Sequence, residues 1–234
     1  MAVLGFVQLR DPDHRIPFAL FRADRLLTGA DFDLESVRVA QRRPLVRRRV
    51  RAVHPARRHR RQGAGALRND PDPRHRAVHE FDLRTRAYTA RTWHYRADAA
   101  FPAALIGDFT ALDEHRFVLI ERDDAQGAEA RQKSVYMIDL RNADAGGVLE
   151  KRLVLDLLDI LDPAGVSMPA RAGEFGVGNP FSFPLQSVES LEVLDGERLL
   201  IANDNNYPFS DGRWTQRDRP DDAELIVVRV PALR

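Results

Sequence analysis

The sequence predicts an all-β chain of antiparallel hairpins with at most one short helix. Three observations carry this. Short runs alternating apolar and polar residues recur from residue 76 onward, turn-forming residues part them, and several runs end abruptly in acids. Residues 77–82 and 87–93 alternate with period two and are joined by Leu83-Arg84-Thr85-Arg86, which predicts a hairpin. Residues 117–121 and 134–140 form a second pair across the polar stretch 122–133. Residues 191–194 and 199–202 flank Asp195-Gly196, one of the strongest short hairpin signals. A last strand, 225–230, is stopped by Pro231. Residues 151–162 are the exception: apolar side chains at 153, 154, 157, 158, 160 and 161 predict a short amphipathic helix, with a strand running into a 3₁₀ turn as the other reading. The glycines and prolines of 163–180 predict a loop.

The acid-bearing strand ends are the candidate functional features. Ile201-Ala202 runs into Asn203-Asp204-Asn205-Asn206, Phe117-Val118-Leu119-Ile120 into Glu121-Arg122-Asp123-Asp124, and Leu105-Ile106-Gly107 into Asp108. Carboxamides and carboxylates in such runs cannot be buried unpaired, so they belong at a sheet rim, where they hold a cation, an anion through water, or one another. Repeated hairpins with acid-bearing ends fit the blades of a β-propeller. Taken singly, each acid reads equally well as a turn cap or salt bridge; Glu121, Arg122 and Asp123 could pair with Lys133 across their hairpin.

Composition narrows the function classes. The 234 residues contain no cysteine, which excludes disulfides and thiolate chemistry, and no apolar run long enough to span a membrane as a helix. The amino terminus shows no basic region followed by an apolar one, so no secretory signal is visible. The net charge of +1 hides an asymmetry, because the ten arginines of 41–62 face no acid. Without that window, 26 basic residues stand against 35 acidic ones, a balance that suits cationic ligands and argues against nucleic-acid binding by the body. No Gly-x-Ser-x-Gly elbow or phosphate-binding Gly-Lys-Ser/Thr loop occurs, and the histidines lack metal-ligand spacing.

Several motifs, in order, resemble the phytase-like family, also described as the esterase-like activity of phytase domain, a β-propeller-type group. They are Leu27-Thr28-Gly29-Ala30-Asp31-Phe32-Asp33-Leu34-Glu35-Ser36, Ile106-Gly107-Asp108-Phe109-Thr110, and Glu121-Arg122-Asp123 with Lys133. Phe183-Pro184-Leu185-Gln186-Ser187-Val188-Glu189-Ser190, the Asn203-Asp204-Asn205-Asn206 block and Glu224 follow. The resemblance runs over 6–40 and 67–231, and implies one domain across 6–231 interrupted at 41–66. It implies a hydrolase of a small-molecule ester or phosphate ester, exported from a bacterial cell, with a non-catalytic propeller binding a ligand at the same rim as the alternative. Glu35, Asp108, Glu121, Arg122 and Lys133 are the catalytic candidates. Asp31, Asp33, Asp123, Glu189, Asp204, Asn206 and Glu224 are the metal-ligand candidates, and Arg213 is a further anion-binding group. The hard ion such an oxygen-lined rim would hold is Ca²⁺, which would neutralise a phosphoryl or carbonyl oxygen and activate water.

The arginine block carries an expectation of its own. Thirty-four arginines to two lysines suggest a GC-rich gene. Read one nucleotide out of frame with GC-rich codons, residues 45–66 give a strand, a Gly-Pro turn, an Asp-Gly hairpin signal and a second strand. That string is similar to an acidic segment the family carries after its Asp-Phe-Asp-x-Glu-Ser motif. The block is therefore expected to be frameshifted or disordered, to form no packed strand, and to leave the propeller incomplete and its chemistry impaired.

Overall fold

The structure is a computed structural model that describes residue 23, residues 33–40 and 43–49, and residues 74–234 apart from 83, 84, 86, 102, 207, 208 and 215–219; for 33–40 and 43–49 it describes backbone alone. It is all-β, with eleven strands and two short 3₁₀ turns among the described residues and no helix long and apolar enough to cross a membrane. The chain divides into two compact units, residues 1–96 and 97–234.

The first unit holds a four-stranded antiparallel meander of β1 (Asp33–Ala40), β2 (Arg43–Arg49), β3 (His75–Asp82) and β4 (Ala87–Arg96), in that spatial order. β3 and β4 are the hairpin that period-two alternation predicts, with Val78 opposite Trp93 and Phe81 opposite Tyr88. β2 corrects an expectation. Arg43–Arg49, inside the arginine block, is a strand paired on both sides, with Val46 opposite Val37 of β1 and His79 of β3. A ladder is made by backbone N–H and C=O groups, which arginine supplies as any residue does, and Leu45 and Val46 favour extended backbone. The rest of the block, 50–66, lies outside the described residues.

The second unit packs two sheets. One is the meander β5 (Leu105–Ala111), β6 (Arg116–Arg122), β7 (Lys133–Ala143), β8 (Leu149–Asp156); the other is β9 (Ser187–Val193), β10 (Arg198–Asp204), β11 (Leu225–Arg229). Alternating residues of both turn inward into a dry core where Val118, Ile120 and Val135 meet Val188, Leu191, Leu199 and Ile201, each at most 1 % exposed. Burying a side chain of this size contributes about 2 kcal/mol, so this layer is a main source of the unit's stability. These open meanders are consistent with blades of a partial propeller.

Residues 151–162 correct the second expectation, because they are not helical. They form most of β8 and a turn behind it. Leu155 lies opposite Val135 and Leu153 opposite Tyr136, so Val154 is an extra residue in a β-bulge. The bulge breaks the two-residue period and brings apolar residues into a spacing that imitates a helix. The helical reading also needs Leu153 and Leu161 on a buried stripe, and they are 51 % and 81 % exposed.

A second bulge determines how the sheets meet. Ile106 of β5 faces Glu121 and Phe109 faces Leu119, leaving Gly107 and Asp108 opposite Ile120 alone. A Cβ on Gly107 would stand 1.9 Å from the Val188 carbonyl oxygen, so β5 and β9 touch through backbone at this point. Asp108 then reaches across, its Oδ2 accepting from the Leu191 N–H at 2.8 Å.

Candidate functional site

β6 ends in Glu121 and Arg122, whose side chains leave opposite faces of the sheet because successive strand residues must. Arg122 points the way of Val118 and Ile120, toward the sheet of β9. Its Nη2 donates to Glu189 Oε1 at 2.5 Å and its Nη1 to Asp124 Oδ1 at 3.3 Å, while its buried Nε has no partner. The guanidinium is 3 % exposed, whereas the Glu189 and Asp124 side chains are 37 % and 69 % exposed. The arrangement is a sunken cation with two solvent-facing carboxylates in front of it.

Lys133, where β7 begins, is fully buried beside this pair. Its Nζ lies 2.8 Å from Asp123 Oδ1 and donates to the carbonyls of Asp123 at 2.9 Å, Ala125 at 2.8 Å and Gln186 at 3.4 Å. Burial draws the Lys133 pKa below the usual lysine value, against the opposing hydrogen bond and charge of Asp123. Asp123 Oδ2 accepts the Arg131 and Gln132 N–H groups at 2.7 and 3.0 Å, which closes the 123–132 loop on itself. Gln186 continues the line, donating to Asp124 at 3.4 Å and accepting from Ser210 Oγ at 2.6 Å.

On the other face of β6, Glu121 is fully buried and accepts from the Asp98 N–H at 2.7 Å, Gln132 Nε2 at 2.6 Å and Lys151 Nζ at 2.7 Å. Lys151 also lies over the Tyr136 ring, 4.0 Å from its centroid, and the Tyr136 hydroxyl donates to Asp98 at 3.3 Å. Burial first, then the charges of Glu121 and Asp98, push the Tyr136 pKa up to about 12. This is a buried polar network in which Gln132 Oε1 alone is left without a partner.

The carboxamide block divides its work. Asn203 Nδ2 donates to Asp221 Oδ2 at 3.0 Å and Asn203 Oδ1 accepts the Glu224 N–H at 2.7 Å, fastening β10 to the segment that leads into β11. Asp204 accepts its own loop's Asn206 N–H at 3.0 Å, and the Asn206 amide donates to Ser187 Oγ at the start of β9. Glu224 is gripped by Arg213 through Nε at 2.6 Å and Nη2 at 2.7 Å. The remaining Arg213 nitrogen donates to the carbonyls of Phe175 and Ser182, pinning the 175–182 loop.

Of the residues expected from sequence, Arg122, Asp123, Lys133 and Glu189 are brought together. Glu121 stands on the opposite face, Asp108 stitches the two sheets, Glu224 belongs to Arg213, and Asp204 and Asn206 form a turn beside Ser187. Asp31 lies outside the described residues, and for Asp33 and Glu35 only the strand backbone is described. Among the described residues, no group of three or more His, Asp or Glu side chains stands together to hold a metal ion. Each described candidate acid meets an arginine, a lysine or a backbone donor. Sequence reading missed Asp124, Gln132, Gln186 and Asp221. Asp124 and Gln186 sat inside runs singled out above without a role of their own, and the contact between them spans 62 residues.

The model of one family, described as "Phytase-like: Esterase-like activity of phytase", matches residues 63–207, more than half of the chain. The chain belongs to the phytase-like family. No curated protein and no solved structure matches it. The phytase-like match spans β3 to β10 and so takes in the Arg122, Lys133 and Glu189 cluster, while Arg213, Asp221 and Glu224 lie beyond it.

Proposed function

We propose that this phytase-like chain hydrolyses a small-molecule ester or phosphate ester at the sheet end where Arg122, Asp124, Gln186 and Glu189 meet. The observation that carries the reading is the buried Arg122 guanidinium set behind the solvent-facing Glu189 carboxylate, in a family described by esterase-like activity. Arg122 would receive the oxygen on which negative charge develops, because a fixed, desolvated guanidinium binds such an oxygen more strongly in the transition state than in the ground state. Glu189 would take a proton from water as the water oxygen bonds to the acyl carbon or phosphorus. The ester bond to the leaving oxygen then breaks, and the departing alkoxide takes the proton back from Glu189, which returns to the carboxylate. Lys133 would act at one remove, by holding the 123–132 loop and the Gln186 turn beside Arg122 and Glu189.

The test uses p-nitrophenyl acetate and p-nitrophenyl phosphate. Wild type should turn over at least one of them, and Glu189→Gln, which keeps a hydrogen-bond acceptor facing Arg122, should lower kcat by about 100-fold or more in a protein that still melts cooperatively. A wild type inert toward both, or a Glu189→Gln variant as active as wild type, would remove the proposal. A second reading, a non-catalytic module binding a ligand at this rim, is favoured by the fact that Arg122 and Lys133 are already engaged by protein oxygens. Saturable binding of the phosphate ester without turnover would select it.

A further inference from the structure

Asp221 has a carboxyl of which the contacts above use one oxygen, the acceptor of Asn203. It is 4 % exposed, in the segment entering β11, and its N–H donates to the Ser210 carbonyl at 2.6 Å. Its Oδ2 accepts from Asn203 Nδ2 and its backbone carbonyl from Asn205 Nδ2 at 3.4 Å, but its Oδ1 is buried without a hydrogen-bond partner. Gly212 presses on that oxygen: a Cβ there would fall 1.8 Å from Oδ1, and the positive φ of +61° also favours glycine. So the 210–214 turn is seated directly on the carboxyl.

The charges around Asp221 are unfavourable to a carboxylate. Its own segment presents the charges of Glu224 and Asp222, which outweigh the Asp222 backbone N–H and the Arg213 charge that favour the ionised form. From the turn come Asp211, whose N–H is held by Gln126, and Arg213, whose donors are spent on Glu224 and on two carbonyls. Arg171, the neighbouring guanidinium, is bound to Glu174 and Asp222. From the end of β10 come the neutral Asn203 and Asn205, with Asp204 turned to the Asn206 N–H. An ionised, desolvated oxygen with no donor costs far more than a neutral acid in the same place.

We propose that Asp221 is a proton-operated lock: as a neutral acid it fastens residues 203–206 to the turn and to the segment before β11, and its ionisation opens that end of β10. The inference is independent of the hydrolase reading. Burial, followed by the charge of Glu224, pushes the Asp221 pKa up to about 7 from the ordinary 3.8. Between those values the folded chain keeps a proton that the unfolded chain has released, so stability falls as pH rises through this window and levels off above about 7. From pH 5 upward the folding equilibrium constant should drop about a hundredfold through this group.

Two measurements on the full chain test this. The melting temperature of wild type, followed from pH 5 to pH 8.5, should fall to a plateau above neutrality, while Asp221→Asn, which stays neutral and keeps an amide beside Asn203, should lack that fall. Amide exchange at 203–206, corrected for its intrinsic pH dependence, should speed up by tenfold or more over the same range in wild type alone. Identical pH curves for the two proteins would overturn the proposal. Should the variant fail to fold, the ¹³Cγ resonance of Asp221 in wild type decides: a midpoint near 7 upholds the lock, and one below 5 overturns it.

Discussion

At the scale of single residues, the second unit depends on side chains that are absent or buried against expectation. Gly107 is absent of necessity, since the Val188 oxygen that a Cβ would strike is backbone tied into a ladder and cannot step aside. Gly107→Ala should therefore cost about 3 kcal/mol, the scale of overpacking a rigid contact, read as a lowered denaturation midpoint with an unchanged slope; a loss under about 0.5 kcal/mol would mean that the sheets are not in backbone contact. Lys133 is the opposite case, a full charge with no exposure that gathers oxygens of Asp123, Ala125 and Gln186. Lys133→Met should lose about 3 kcal/mol because it leaves a largely desolvated carboxylate without its counter-charge, and should open the 123–132 loop to protease. Adding Asp123→Asn to Lys133→Met should restore part of the loss, since the stranded charge then disappears; a double variant whose loss equals the sum of the two single losses would show that the pair does not interact as described.

At the scale of elements, what was legible in the sequence was what is local. β3 and β4, β6 and β7, β9 and β10, and β11 follow from alternation and from turns such as Asp195-Gly196, whose carboxylate accepts the Glu197 and Arg198 N–H groups at 2.9 Å. β8 was hidden because one bulged residue, Val154, shifts the period, and β2 because arginine side chains conceal an ordinary backbone ladder. For the site, the rim positions of Asp108, Glu121, Arg122 and Asp123 could be read from strand ends. That Glu121 and Arg122 must face apart also follows from the strand period, but their partners Lys151 and Glu189 lie 30 and 67 residues away, and no local pattern names them. The division has a measurable consequence. Glu121→Gln, on one face of β6, and Glu189→Gln, on β9 against its other face, share no partner, so their effects on stability should add to within about 0.5 kcal/mol. Coupling well above that would place both acids in one network.

At the scale of the whole molecule, each described sheet is open, and its outer strands differ in how they are guarded. β8 carries Glu150, Lys151 and Arg152 ahead of its exposed Leu153, charges that discourage another chain from pairing there. β11 is less protected. Its sequence is Leu225-Ile226-Val227-Val228-Arg229, Leu225 and Val227 are 61 % and 53 % exposed, and the charge at its end is engaged with Glu197 at 3.0 Å. Among the described residues no strand pairs with its outer side. An apolar, nearly uncharged edge of high β-propensity is a template for pairing with another chain, so association of this protein should begin at β11 and not at β8. Val227→Lys should suppress concentration-dependent light scattering, whereas Leu153→Lys should leave it as in wild type, and both should shift stability by no more than about 0.5 kcal/mol because the replaced side chains already face solvent. Equal scattering from all three proteins would locate the sticky surface elsewhere. A loss of scattering in Leu153→Lys alone would reverse the assignment and show that the charges ahead of it do not protect β8.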